Sequence, residues 1–224
     1  MKIKIINAAA LDSGGICIKI LISDGEHSER KSLAVSEHDF ADLGLCAGVE
    51  LDTDTYEQLD AAAEHFEAVR RGIYLLSYGA NSRQSLAIKL RRRGYDKQLA
   101  EDVAGELYRR GYINECADAE GVIRACLARK YGKKRIIAKL HERGYDNEVI
   151  FRAFDNFGEI DYTANCAELI RKKYKYLPEE RAELDKLIGA LVRYGYSYGE
   201  IKGALVRYGY SYGEIKGALE ICNS

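Results

Sequence analysis

The sequence contains no tryptophan and a single proline, and no apolar run approaches the roughly 18 residues that a membrane-spanning helix needs. A proline-rich, collagen-like or disordered chain is thereby excluded, since the apolar fraction is ordinary for a globular protein. The N-terminus lacks the charged, apolar and small-residue succession of a signal peptide, so a soluble, cytoplasmic protein with no membrane association is expected. Six cysteines (Cys17, Cys46, Cys116, Cys126, Cys166, Cys222) form no Cys-x-x-Cys pair and no cluster with His27, His38, His65 and His141. They are expected to be reduced, half-buried and small-apolar in role, without a metal. Also missing are a glycine-rich phosphate cradle after a strand, a recognisable nucleophile setting and a recurrent carboxylate pair. No enzyme and no cofactor are expected.

What is present is a chain of 224 residues, 47% apolar and 31% charged, enough for one elongated or two compact domains. The net charge of −1 hides an asymmetry. Residues 1–60 carry 5 Lys/Arg against 12 Asp/Glu, whereas residues 61–224 carry 29 against 23. Such a split points to two regions, the second suited to an anionic partner.

The first region has the pattern of strands. Ile3, Ile5 and Ile6, then Ile16 to Ile22, form β-branched runs punctuated by Gly14-Gly15 and Asp24-Gly25. A small acidic β-rich domain over residues 1–60 is expected. Beyond it the apolar spacing becomes helical.

The helical region also repeats itself. Leu86 to Leu90 leads to Gly94, Ile136 to Leu140 leads to Gly144, and Leu187 to Leu191 leads to Gly195, with the three glycines 50 and 51 residues apart. An amphipathic helix ending in a left-handed glycine, an aromatic residue, and then Asp96, Asp146 or Ser197 as cap of the next helix is a helix–turn–helix pair. Leading helices at 115–131 and 162–176 supply a third member. Three tandem three-helix repeats are therefore predicted over 61–112, 113–158 and 159–224, stacked as an elongated curved array. Gly94, Gly111, Gly144, Gly195 and Gly209 are the expected turn positions. Gly189–Lys202 recurs unchanged as Gly203–Lys216, a 14-residue duplication nearly in phase with the helical repeat.

These residues carry a family resemblance. Ser82 to Tyr95, then Leu107-Tyr-Arg-Arg-Gly111-Tyr112-Ile113-Asn114, then Tyr131 to Gly144 and Leu187 to Leu219, resemble in order the repeats of the RecX recombination regulators. The likeness covers most of residues 61–224. It implies a regulator that binds the RecA recombinase and its filament on single-stranded DNA, opposes filament extension, and lowers ATPase and strand-exchange activity. It also implies weak direct DNA binding in some members.

Four basic clusters are candidate contacts for filament or DNA: Lys89 with Arg91, Arg92 and Arg93; Arg109 with Arg110; Lys130 with Lys133, Lys134 and Arg135; and Lys172, Lys173 and Lys175. Lysines and arginines near helix ends also serve simply to complement the helix dipole and solvate a face, and both readings stand for any one cluster. Among the 17 tyrosines, Tyr95, Tyr145 and Tyr196 follow the turn glycines and are expected to pack. Tyr174, Tyr176, Tyr194 and Tyr198 remain candidates for base stacking. A monomer is expected. A stand-alone DNA-binding module and a scaffold for a different protein are the competing functions.

Overall fold

A computed structural model describes residues 2–209, apart from positions 13, 26, 175–177 and 179. The chain is mostly helical, with one small sheet at its N-terminal end, and divides into two compact units, Met1–Ile113 and Asn114–Ser224.

The first unit opens with β1 (Lys2–Ala10), β2 (Ile16–Ser23), β3 (Ser28–Val35), α1 (Glu37–Asp42) and β4 (Glu50–Leu51). The sheet is antiparallel throughout, in the order β3-β2-β1-β4. Alternation puts Ile3, Ile5, Ile18, Ile20, Leu33 and Val35 on one buried face. The register shifts between Ile5 and Asn7, which breaks the alternation and leaves Ile6 exposed.

The next helix, α2 (Thr53–Ser77), begins where the Asp52 carboxylate accepts from the Thr55 N–H at 2.7 Å. It runs unbroken through residue 60. Leu59 and Ala63 belong to the core under the sheet, while Ala68 and Val69 belong to the core of the first three-helix repeat. One helix thus serves two cores, which keeps the sheet and the repeat in a single compact unit. The repeat is completed by α3 (Arg83–Arg91) and α4 (Lys97–Arg109), packed through Leu86, Leu90, Val103 and Leu107.

The second unit holds two further triplets. They are α5 (Glu115–Ala128), α6 (Lys133–Glu142) and α7 (Asn147–Asp155), then α8 (Tyr162–Lys173), α9 (Arg181–Arg193) and α10 (Tyr198–Arg207). The turn glycines Gly94, Gly111, Gly144, Gly195 and Gly209 all have φ between +79° and +101°. Asp96 and Asp146 cap α4 and α7, and Ser197 with Glu200 forms a capping box at α10. Tyr145 and Tyr196 are buried and Tyr95 packs half-buried, as expected of residues that fold back over a helix end.

The duplicated peptide is used in two ways. Its first copy forms the end of α9, the turn and the start of α10; the second copy begins inside α10, where Gly203 to Arg207 finish the helix and Gly209 closes it. Leu191 and Leu205, equivalent in the two copies, are both buried in the same core. Positions 210–216 of the second copy, with Ser211 and Glu214, lie outside the described residues.

The two repeats of this unit meet through bare backbone. The Gly132 N–H donates to the Tyr194 carbonyl at 2.9 Å and the Lys134 N–H to the Gly195 carbonyl at 3.2 Å. Helix α6 has no side-chain N-cap, and a carbonyl from the neighbouring repeat satisfies one of its first-turn donors instead. A Cβ on Gly132 would lie 2.3 Å from the Gly195 carbonyl carbon, and one on Gly195 would lie 2.4 Å from the Arg135 nitrogen. Gly132 has an ordinary φ of −76°, so contact alone constrains it; Gly195 is constrained by contact and by φ together.

Three alanine variants separate these causes. Gly94→Ala, with open space around it, should cost about 1–2 kcal/mol from left-handed strain alone. Gly132→Ala should cost about 1–3 kcal/mol from overpacking, and Gly195→Ala should exceed both single causes. Urea unfolding followed by circular dichroism checks this order; Gly195→Ala no more damaging than Gly94→Ala would refute the backbone contact.

Candidate functional site

The four basic clusters separate according to what neutralises them. Lys130 is structural: it holds φ at +56°, its Nζ lies 2.5 Å from Glu168 and 3.2 Å from Asn165, and its carbonyl accepts from the Tyr196 hydroxyl at 2.7 Å. It ties α5 to the third repeat. Arg110 pairs with Glu106 at 2.9 Å and lies over the Tyr112 ring, while Arg109 is simply exposed at the end of α4.

The rest of the third and fourth clusters is brought together. Arg135 lies 4.2 Å from the Tyr131 ring centroid and 5.3 Å from that of Tyr194, and it donates to the Arg193 carbonyl at 3.2 Å. Lys173, from the next repeat, lies 4.1 Å from the same Tyr194 centroid and donates to its hydroxyl. The two rings meet edge to face at 5.8 Å. Lys133, Lys134 and Lys172 are exposed beside these residues in sequence, with Lys133 over the Phe154 ring at 5.6 Å. Among the described residues no carboxylate pairs with Lys133, Lys134, Arg135, Lys172 or Lys173, so their charge is not cancelled locally. Cation–π contacts hold two of the side chains in place at modest energy while leaving their charge intact. Lys175 and Tyr176 lie outside the described residues.

The first unit carries another such patch. Arg91, Arg92 and Arg93 are exposed at the end of α3 with no carboxylate partner among the described residues. Lys89 donates to Asn81. Together with Tyr74, Leu75 and Tyr78, the residues Lys89, Arg92 and Arg93 line a surface hollow of about 510 Å³. The turn glycines shape the backbone: Gly94 directly follows Arg93 in the first unit, and Gly195 lies against Arg135 in the second.

The tyrosines are where sequence reasoning fell short. Tyr174, Tyr194 and Tyr198 pack against the third core, although Tyr194 also receives the two cations. Tyr131 carried no separate signal. The spacing of Tyr74 and Tyr78, four apart on one helix, was enough to place them on a common face.

Other chemistry is sparse. Among the described residues no group of three or more His, Cys, Asp or Glu is placed to hold a metal ion, and no helix is long and apolar enough to cross a membrane. His141 is exposed on α6. Cys126 and Cys166 are buried, Cys17 and Cys116 half-buried, and Cys46 exposed. Cys222 lies outside the described residues.

The arrangement has known relatives. Regulatory protein RecX of Amycolatopsis mediterranei (strain U-32) is 32% identical over 131 residues, which span 56% of this chain and 73% of that protein. The chain belongs to the RecX family. A second RecX regulatory protein, from Stenotrophomonas maltophilia (strain R551-3), is 29% identical over 135 residues, covering 60% and 82% of the two chains. Residues 159–205 match the family model described as the RecX third three-helix domain. Those bounds take in α8, α9 and all but the last two residues of α10, so the last triplet has its counterpart in that family domain. A solved structure, "Crystal structure of regulatory protein RecX", superposes with a TM-score of 0.69 over 89% of this chain and 98% of its own, at 23% identity. At that identity the likeness concerns the RecX fold of helical repeats.

Burial makes a titration prediction for the third repeat. Cys166 is pushed up to about 12 by desolvation and then by the charge of Glu200. An unfolded chain begins to lose this proton near the ordinary thiol value of 9.0, while the native state keeps it. The thiol's share of stability is therefore complete below pH 9 and declines as the pH rises from there towards 12. Melting temperatures between pH 7 and 10.5 should fall at the upper end, less steeply in Cys166→Ala. In native protein at pH 8, peptide mapping after alkylation should find Cys46 modified and Cys166 protected; equal labelling would refute the burial.

Proposed function

We propose that the protein binds the RecA recombinase and its filament on single-stranded DNA, opposes filament extension, and lowers ATPase and strand-exchange activity. It acts as a cytoplasmic monomer by occupancy of the filament, without chemistry of its own. Membership of the RecX family supports the regulatory part of this reading. The observation that carries the contact is the convergence of Arg135 and Lys173 on Tyr194, beside Lys133, Lys134 and Lys172 and without compensating carboxylates among the described residues. Two repeats contribute to one fixed positive surface, suited to acidic protein or phosphate, whose binding weakens as salt rises. The three-helix repeats over 61–112, 113–158 and 159–224 are the proposed binding modules, and Arg91–Arg93 are a separate proposed contact on the first of them. Arg109, Arg110 and Lys130 are secondary, because Arg110 and Lys130 are already paired. Lys175 belongs to the fourth cluster by sequence.

The test titrates the protein into the single-stranded-DNA-dependent ATPase of its cognate RecA. Inhibition is expected below saturation of the bare DNA. Reversing Lys133, Lys134, Lys172 and Lys173 to Glu, with Arg135 left in place because it is packed between two rings, should raise the half-inhibitory concentration at least about tenfold. Reversing Arg91, Arg92 and Arg93 probes the first repeat separately. No inhibition by the unaltered protein would refute the function; unchanged inhibition by both variants would refute the sites.

A further inference from the structure

Two tyrosines at the end of α2 are exposed in a way that packing does not explain. Tyr78 is 74% exposed and Tyr74 49%, while their neighbours Ile73, Leu75 and Leu76 pack against the first helical core. The rings meet edge to face with centroids 5.0 Å apart and an interplanar angle of 76°, and the Tyr78 hydroxyl donates to that of Tyr74 at 2.5 Å. The Arg71 guanidinium lies over the Tyr74 ring at 5.6 Å. The pair is therefore held in orientation by its own hydrogen bond, by ring contact and by one cation, but not by burial. Exposed aromatic surface that is rigidly held is a recognition feature, since apolar area left in water gains nothing for folding.

The surroundings specify what would be recognised. The same hollow is lined by Lys89, Arg92 and Arg93, and neither arginine is paired with a carboxylate among the described residues. Flat aromatic faces next to side chains that neutralise phosphate are the two components of a single-stranded nucleic-acid site, one for bases and one for the backbone. An acidic protein surface would use the cations and leave the tyrosines idle. A duplex would offer phosphates, but its bases are already stacked.

We propose that Tyr74 and Tyr78 are a base-stacking platform for single-stranded DNA, with Lys89, Arg92 and Arg93 contacting its phosphates. The choice of DNA rests on the RecA-filament reading above, and the site gives this protein its own hold on the strand. The stacking contribution is sequence-tolerant, because every base has a π face.

The experiment measures binding of the full-length protein, without RecA, to three fluorescently labelled 20-mers by anisotropy: oligo-dT, an abasic strand of equal length, and a duplex. Oligo-dT should bind best, with the abasic strand and the duplex each weaker by roughly tenfold or more. Tyr74→Ala/Tyr78→Ala should weaken oligo-dT by a similar factor and leave abasic binding unchanged; both side chains are outside the core, so the variant keeps its fold by circular dichroism. Arg92→Ala/Arg93→Ala should flatten the salt dependence by about 0.7 logarithmic units per cation removed. Equal binding of the abasic strand or of the duplex, or an unaffected tyrosine variant, would overturn the platform. RecA ATPase inhibition measured with the unaltered protein keeps the two readings apart: its absence counts against the filament reading and leaves the bare-DNA result to decide this one.

Discussion

The second unit depends on the contact between Gly132 and Gly195. Two backbones approach so closely that neither position has room for a methyl group, and the approach lets one repeat supply the hydrogen-bond acceptors for the other. The first turn of α6 would otherwise need a side-chain cap, because an unpaired N–H costs about 1–3 kcal/mol when shielded from water. With the Gly195 carbonyl in that role, the α9–α10 turn is seated on α6 in a fixed register. The placement of Tyr194 follows, since its carbonyl takes the Gly132 N–H. Arg135 and Lys173, from different repeats, then share one ring.

Nearby interactions reinforce the same junction. The Tyr196 hydroxyl reaches the Lys130 carbonyl, and Lys130 pairs with Glu168 across the repeat boundary. Tyr162 packs against the cores of both repeats. Its hydroxyl is buried without a partner, and desolvation pushes its ionisation up to about 12. In the first unit a different device serves: α2 is long enough to bury Leu59 and Ala63 beneath the sheet and Ala68 and Val69 within the helices. Repeat proteins gain stability from such nearest-neighbour interfaces, because a single three-helix unit buries little apolar area alone.

Charge follows from the same geometry. Net charge per segment suggested an anionic partner, but a salt-bridged cation offers little to a partner that must first displace its carboxylate. Lys130 and Arg110 are spent within the fold. Lys133, Lys134, Arg135, Lys172 and Lys173 are not, and neither are Arg91, Arg92 and Arg93. Aromatic rings rather than acids hold Arg135 and Lys173, which orders a side chain while preserving its charge.

Much of this architecture was determined by the sequence alone. The recurrence of Gly94, Gly144 and Gly195 at intervals of 50 and 51 residues, the caps at Asp96, Asp146 and Ser197, and the alternation of Ile3, Ile5, Ile18 and Ile20 are legible there, because each helix end, cap and strand face is set by residues close to it in sequence. The duplicated GALVRYG works in both α9 and α10 for the same reason: a helix that ends in glycine needs only its own residues. Tertiary structure alone decided which cations keep their charge, that Lys130 adopts a left-handed backbone, that α2 serves two cores, and that Gly132 must be bare. Those outcomes depend on residues distant in sequence, such as Glu168 for Lys130 and Gly195 for Gly132. The energies that settle them arise only when the repeats are in contact.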